Sequence, residues 1–218
     1  CALPISGAKL IIAPSKSLTV LSFLSLSSTA SIDINGEGGI FVHENVTNNG
    51  TLNLNSGFLW CYTNLINNGP IVGNAATLYI GTGSGAQYSI TGSESIGTAE
   101  SPIQSLFIED SIIVSLDAGD SIYSGDLHLI SGKITNTGKI VIGDGSYTSI
   151  VIGGPSHPEW PAPMLDTFPG RYAIINDNVT LYYSGVGANY LTSYEIPPSR
   201  TIKTFYISSL STNIHSNV

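Results

Sequence analysis

Apolar and polar residues alternate along most of this chain in short stretches. A spacing of two between apolar residues is typical of a strand that buries one face. The spacing of an amphipathic helix is missing, and Gly or Asn interrupts the pattern about every ten residues. The pattern therefore predicts an all-β protein with almost no helix. Alternating pairs include Leu18 and Val20, Ile32 and Ile34, Leu52 and Leu54, Leu78 and Ile80, Leu127 and Leu129, Ile140 and Ile142, and Ile150 and Ile152.

A second pattern is a repeat of about twenty residues. Residues 45–51 read NVTNNGT and residues 64–70 read NLINNGP, so the triplet Asn-Asn-Gly returns after nineteen positions. A repeat near this length indicates a solenoid, in which each coil buries its apolar face against the next coil. The sequence therefore predicts a right-handed parallel β-helix, or β-solenoid, of roughly ten coils. It would cover residues 1–218 as one segment of a longer chain.

The repeated triplets are predicted to be the same corner on successive coils. Asn at a corner can adopt the left-handed backbone conformation and hydrogen-bond to its equivalents above and below. If this prediction holds, Asn48 and Asn67 are neighbours across the sheet spacing. The predicted structural turn residues are Asn48, Asn49, Gly50, Asn67, Asn68 and Gly69.

Composition narrows the classes of function. The net charge of -8 argues against nucleic acid binding, which needs a basic surface. No apolar run is long enough for a membrane span, and a surface rich in Ser, Thr and Asn is typical of exported proteins. Two cysteines are too few for a disulfide framework. Cys1 marks a fragment boundary, forms a disulfide with Cys61, or carries a lipid; these alternatives stay open.

Carboxylates are concentrated between residues 109 and 126. Asp117, Asp120 and Asp126 are candidate ligands for calcium or an acid pair of the kind that cleaves glycans, and no other cofactor is expected. The alternative is that they are ordinary turn residues, since Asp beside Gly or Ser favours turns. A polysaccharide-cleaving groove would also need clustered basic residues, and the only arginines are Arg171 and Arg200. The sequence therefore predicts no catalytic residues and no enzyme.

Aromatic residues are better candidates for binding. Residues 155–170 are rich in proline, which cannot donate to a ladder, and are predicted to form a loop that projects from the stack. Trp60 and Tyr62 alternate with Leu59 and Cys61, so one of these two pairs points outward. The alternative is that aromatic side chains only stabilise the stacked coils. The candidate sugar-stacking residues in and after the loop are Trp160, Phe168, Tyr172 and Tyr190.

Three stretches resemble segments of very large secreted surface proteins of Bacteroidetes. They are AKLIIAPSKSLTV at 8–20, SGDLHLISGKITNTGKIVIGDG at 124–145 and YEIPPSRTIKTFYISS at 194–209. The resemblance implies a parallel β-solenoid that is exported by the type IX secretion system and displayed on the cell surface, often as an adhesin. Two Asp-Ser-Ile triplets resemble the O-glycosylation signal of that phylum, which makes Ser111 and Ser121 candidate glycosylation sites.

Together these patterns predict a secreted or cell-surface module with a structural and adhesive role. Such a rigid stalk would contact neighbouring segments of the same long chain, with glycans or cell-surface proteins as further candidate partners. Two alternatives stay open. One is a β-helical polysaccharide lyase or hydrolase, and the other is a subunit of an extracellular filament or sheath.

Overall fold

Strands make up the regular structure of the described residues in the computed structural model. Residues 2–73, 75–82, 87–109, 112–117 and 119–129 are described, followed by eight strands between residues 133 and 207. Within these ranges no residue is helical, so no membrane-spanning helix occurs there. The strands are β1 (Leu3–Ile5), β2 (Lys9–Ile12), β3 (Ser17–Val20), β4 (Leu24–Leu26), β5 (Ser31–Ile34), β6 (Gly39–Val42), β7 (Val46–Asn48), β8 (Thr51–Asn53), β9 (Phe58–Cys61), β10 (Leu65–Asn67), β11 (Ile71–Val72), β12 (Thr77–Ile80), β13 (Ser89–Gly92), β14 (Ile103–Ile108), β15 (Ile113–Leu116), β16 (Ser121–Leu129), β17 (Lys133–Thr137), β18 (Lys139–Ile142), β19 (Ser149–Gly153), β20 (Met164–Thr167), β21 (Ala173–Ile175), β22 (Val179–Tyr183), β23 (Tyr194–Glu195) and β24 (Thr204–Ile207).

The strands stack into three parallel faces, and each early coil contributes one strand to each face. The first face is an eight-stranded sheet in the order β1-β4-β7-β10-β13-β15-β17-β20. The second face begins with β2, β5, β8 and β11, and Ile96 continues it by bridging Ile71 and Ile122. The third face begins with β3, β6, β9, β12 and β14. The long strand β16 serves two faces, because it pairs with β18 near its start and with β19 near its end.

The stack confirms the predicted all-β parallel solenoid. Val46 pairs with Leu65 after 19 residues, whereas Leu65 pairs with Ile90 after 25 residues, so coil length varies around the predicted repeat. Residues up to Leu129 make about 6 turns, while roughly ten coils were predicted for the whole chain. The right-handed sense stays a prediction that rests on the general preference of parallel crossovers.

The core is a continuous column of apolar side chains inside the coils. Leu24, Ile32 and Ile40, one from each face of the second coil, are 0% exposed. Burial of one such side chain stabilises the fold by about 1.5–3 kcal/mol, and both neighbouring coils contribute to it. Ile5 and Ile12 of the first coil retain slight exposure, at 9% and 7%. Each coil thus depends on its neighbours to complete its own burial.

The proline-rich stretch 155–170 needs a partial correction. Met164–Thr167 within it is strand β20, which pairs in parallel with β17 on the first face. That part of the stretch belongs to the stack and does not project from it. The rest of the stretch lies outside the described residues.

Candidate functional site

The repeated Asn-Asn-Gly corners lie directly above one another, as predicted. Asn48 and Asn67 are register partners in β7 and β10, and the Asn48 amide Nδ2 donates to Asn67 Oδ1 at 2.9 Å. Beside this pair, Asn68 Nδ2 donates to Asn49 Oδ1 at 3.0 Å on the outside of the coil. The two triplets therefore form one inner and one outer amide ladder.

The backbone conformation predicted for these corners is wrong. Asn48 and Asn67 end their strands, their side chains are 0% exposed inside the coil, and neither has a positive φ. Gly50 and Gly69 are needed for close approach of the coils instead. A Cβ on Gly69 would collide with the carbonyl oxygen of Gly50 one coil below. Stacking distance, and not a left-handed turn, explains the triplet.

An aromatic ladder runs along the outside of the third face. Register pairs place Phe41, Trp60, Tyr79, Phe107 and His128 in one column across five coils. Ring centroids are 5.0 Å apart for Trp60 and Tyr79, 4.2 Å for Tyr79 and Phe107, and 3.9 Å for Phe107 and His128. The rings in the last two pairs are stacked and nearly parallel, with interplanar angles of 15° and 11°.

The stacking hides the ring faces in the middle of this ladder. Tyr79 lies between Trp60 and Phe107, so the faces of its ring contact other rings and its edge meets solvent. The Trp60 indole Nε1 donates to the Gly81 carbonyl at 2.8 Å, which fixes the ring. Burial against Phe107 lowers the pKa of His128, an effect that Asp126 partly opposes. The central rings are therefore placed to stabilise the stack and are poorly placed to stack on a sugar.

Sequence patterns found only part of this ladder. The outward direction of Trp60 and Tyr62 was one of two alternatives, and the structure places both outside while Leu59 and Cys61 are buried. Phe41 and Phe107 were missed, although Phe41, Trp60 and Tyr79 recur at a spacing of nineteen. The step from Tyr79 to Phe107 is longer, and only strand register reveals it.

A second column of register partners lies beside the aromatic ladder on the same face. Its register partners run through Ser17, Gly39, Phe58, Thr77, Ser105 and Asp126. We name this column the shelf. The Phe58 ring lies over Gly39, in the space that a Cβ on Gly39 would occupy. The shelf thus combines one aromatic ring, small hydroxyl side chains and a carboxylate.

The three candidate calcium ligands do not come together. Asp117 and Asp120 bracket one turn, in which the Asp120 amide donates to the Asp117 carbonyl at 2.9 Å. Asp126 lies on the third face, where Ser105 donates to its carboxylate at 3.4 Å. Desolvation, with smaller contributions from Glu94 and Asp117, raises the pKa of Asp120. No group of three or more metal-ligating side chains occurs among the described residues.

The remaining candidates fall partly outside the described residues. Trp160, Phe168, Tyr172, Tyr190 and Ser111 all lie outside them, so their roles stay predictions. Ser121 begins β16, is half-buried, and its amide donates to Ser95 Oγ at 2.9 Å; its glycosylation also stays a prediction.

Cys61 is a free thiol inside the third face. It donates to the Asn64 carbonyl at 3.2 Å, and burial raises its pKa to about 12. A disulfide with Cys1 does not fit this free thiol. Cys1 itself lies outside the described residues, so a fragment boundary and a lipid-carrying residue stay open for it.

Comparison with protein families, curated proteins and solved structures found no match to this chain. The resemblance to Bacteroidetes surface proteins therefore stays an expectation.

Proposed function

We propose that this chain is a structural and adhesive module of an extracellular surface, which acts as a rigid stalk. The observation that carries the proposal is the continuous stack of in-register coils around a buried apolar core. Every inward residue from Leu24 to Leu26 and from Ile32 to Ile34 is 0% exposed, and later coils repeat this arrangement. A continuous hydrogen-bonded stack resists bending, because each coil is fixed by its neighbours on both sides.

The outer surface supports an adhesive role beside the structural one. Stacked aromatic residues on the third face strengthen the rod and leave ring edges and hydroxyl groups at the surface. Between residues 17 and 132 the sequence has no Lys or Arg, whereas it has several Asp and Glu. Such an acidic surface repels nucleic acid and acidic polymers. Partners on a cell surface would therefore be uncharged glycans or proteins.

The test is attachment under flow. Beads that carry the purified chain are passed over surfaces coated with uncharged polysaccharide or with cell-surface glycoprotein. We expect retention of these beads and not of beads that carry an inert protein of similar charge. Retention equal to that of the inert protein on every surface would refute the adhesive part of the proposal.

Stiffness is tested separately by pulling on single molecules. The stalk is expected to resist extension until coils peel off in steps, because the coils form nearest-neighbour interfaces. Smooth extension without steps would contradict a rigid role.

A further inference from the structure

The shelf on the third face differs from the aromatic ladder beside it in how its ring is oriented. Phe58 is tilted by 70° from the Phe41 ring, with centroids 5.1 Å apart. One side of Phe58 covers the backbone of Gly39, whose missing side chain makes room for the ring. The Phe58 side chain is half-buried, so part of the ring is exposed to solvent. Among the described residues Phe58 has an edge-on ring contact with Phe41 and is not enclosed between two stacked rings, as Tyr79 is.

Hydroxyl groups continue the shelf above this ring. Thr77 lies one coil above Phe58, and Ser105 lies one coil further. Successive coils are separated by about 4.8 Å, which is close to the length of one pyranose unit. The Thr77 hydroxyl has no hydrogen-bond partner within the described part of the chain, and Ser105 is hydrogen-bonded to Asp126. Donors and acceptors are thus spaced at the repeat of a sugar chain.

The aromatic ladder forms a wall along one side of the shelf. Tyr79 and Phe107 are two residues beyond Thr77 and Ser105 on the same strands, so their side chains point to the same side of the sheet. Their stacked rings are taller than the hydroxyl side chains beside them. A ligand on the shelf would lie parallel to the axis of the stack and contact this wall with its edge.

The charge around the shelf selects the kind of ligand. Asp126 ends the shelf, and no Lys or Arg occurs between residues 17 and 132. Uronic acids and sulfated sugars would therefore be repelled, whereas the hydroxyl groups of a neutral sugar can donate to the carboxylate.

From these features we infer that the shelf binds an uncharged, linear glycan that lies along the stack. One pyranose ring packs its C–H face on Phe58, and the following units hydrogen-bond to Thr77, Ser105 and Asp126. This inference rests on the proposed adhesive function and identifies the site and the class of ligand. The shelf from Phe58 to Asp126 spans three coil intervals, or roughly 14 Å.

The test measures binding of cello-, xylo- and manno-oligosaccharides of increasing length by calorimetry, with oligogalacturonate as the anionic comparison. At least one uncharged series should bind, with affinity that stops rising once the ligand spans the shelf. Oligogalacturonate should not bind. Failure of all three uncharged series, or equal binding of oligogalacturonate, would overturn the inference.

Two variants of Phe58 locate the site. Phe58→Leu keeps a cover over Gly39 but removes the aromatic face, and Phe58→Ala removes both. Both are expected to weaken binding at least about tenfold. The matched control is Phe23→Ala, because Phe23 is 43% exposed just before β4 and lies off the shelf. If Phe58→Ala unfolds, Phe58→Leu decides, and unchanged affinity in that variant refutes the site.

The bead experiment separates this inference from the proposed function. If beads that carry Phe58→Leu are retained as well as wild-type beads, the chain is adhesive through another surface. If wild-type beads are not retained on any surface, the adhesive function itself is refuted.

Discussion

Two stacks of similar side chains follow the same coil spacing, and they differ in length. The inner amide ladder has two members, Asn48 and Asn67, whereas the outer aromatic ladder has five. Asn48 Oδ1 has no hydrogen-bond partner, because its register partner in the coil below is Leu26. On the other side Asn67 donates to the carbonyls of Glu94 and Ser95. The inner ladder thus ends in a backbone contact on one side and an unsatisfied atom on the other.

The difference teaches what limits each kind of stack. A buried amide needs a partner for every polar atom, and an unsatisfied one costs about 1–3 kcal/mol. A ring at the surface has no such requirement, because water satisfies its polar edge and its faces gain from stacking. Outer stacks can therefore extend over many coils, whereas inner polar stacks stay short.

The largest expected difference between interior and exterior is in thiol reactivity. Burial raises the pKa of Cys61 to about 12 from an ordinary value of 9.0, so the thiolate fraction near neutral pH falls about a thousandfold. Cys61 should react with iodoacetamide only after unfolding, as measured by mass spectrometry. In the control, Cys61→Ala combined with Tyr62→Cys moves the thiol to the outside, and rapid reaction is expected. Equal rates of iodoacetamide reaction at Cys61 in the folded wild type and at the thiol introduced by Tyr62→Cys in the folded variant would contradict the inward placement of Cys61.

The next largest effect is expected for Asn67→Asp, which changes one buried atom. The substitution removes the donor to the carbonyls of Glu94 and Ser95 and places a charge against them. We expect a loss of about 3–5 kcal/mol in the free energy of unfolding at neutral pH, measured by urea denaturation. Protonation of the new carboxyl should restore part of the loss in acid.

The matched control for this change lies one residue away. Asn68 is exposed on the outer amide ladder, so Asn68→Asp should lower the free energy of unfolding by less than about 1 kcal/mol. Similar losses of stability for Asn67→Asp and Asn68→Asp would show that the inner and outer amide ladders do not differ in burial as described.

A smaller loss of stability is expected for Trp60→Ala on the aromatic ladder. It removes the stack on Tyr79 and the hydrogen bond to Gly81, for a loss of about 2 kcal/mol. Trp60→Phe keeps a stacked ring and should lose only about 1 kcal/mol. Thermal unfolding followed by circular dichroism measures both. A Trp60→Ala protein as stable as the wild type would mean that the ladder adds nothing to the stack.

The smallest effect is expected for Asp120→Asn, at the acidic corner outside the coil. Because the folded-state pKa of Asp120 is raised, its charged form destabilises the fold, and stability falls as pH rises through this pKa. The amide should therefore raise stability at neutral pH, by less than about 0.5 kcal/mol after solvent screening. Below the ordinary carboxyl pKa of 3.8 the gain should vanish. A gain that persists there would point to a cause other than charge.

Sequence patterns predicted much of the fold and little of the candidate site. The period-two pattern and the Asn-Asn-Gly repeat were sufficient for strands, parallel stacking and the contact between Asn48 and Asn67. They failed on the backbone conformation of these two residues, because Asn is compatible both with a left-handed corner and with the end of a strand. They also missed Phe58, since nothing in the local sequence shows that its ring covers Gly39 one coil below.

The sequence by itself determined that this chain forms short strands with one apolar face and that its coils repeat at about twenty residues. Local alternation is enough for this, because each strand must bury the same side. Only the tertiary structure decided which outward residues become neighbours. Between Tyr79 and Phe107 the chain is longer than in the preceding coils, yet the strands stay in register, so the ladder and the shelf continue across unequal coils. Surface columns are therefore set by strand pairing, which sequence spacing alone does not fix.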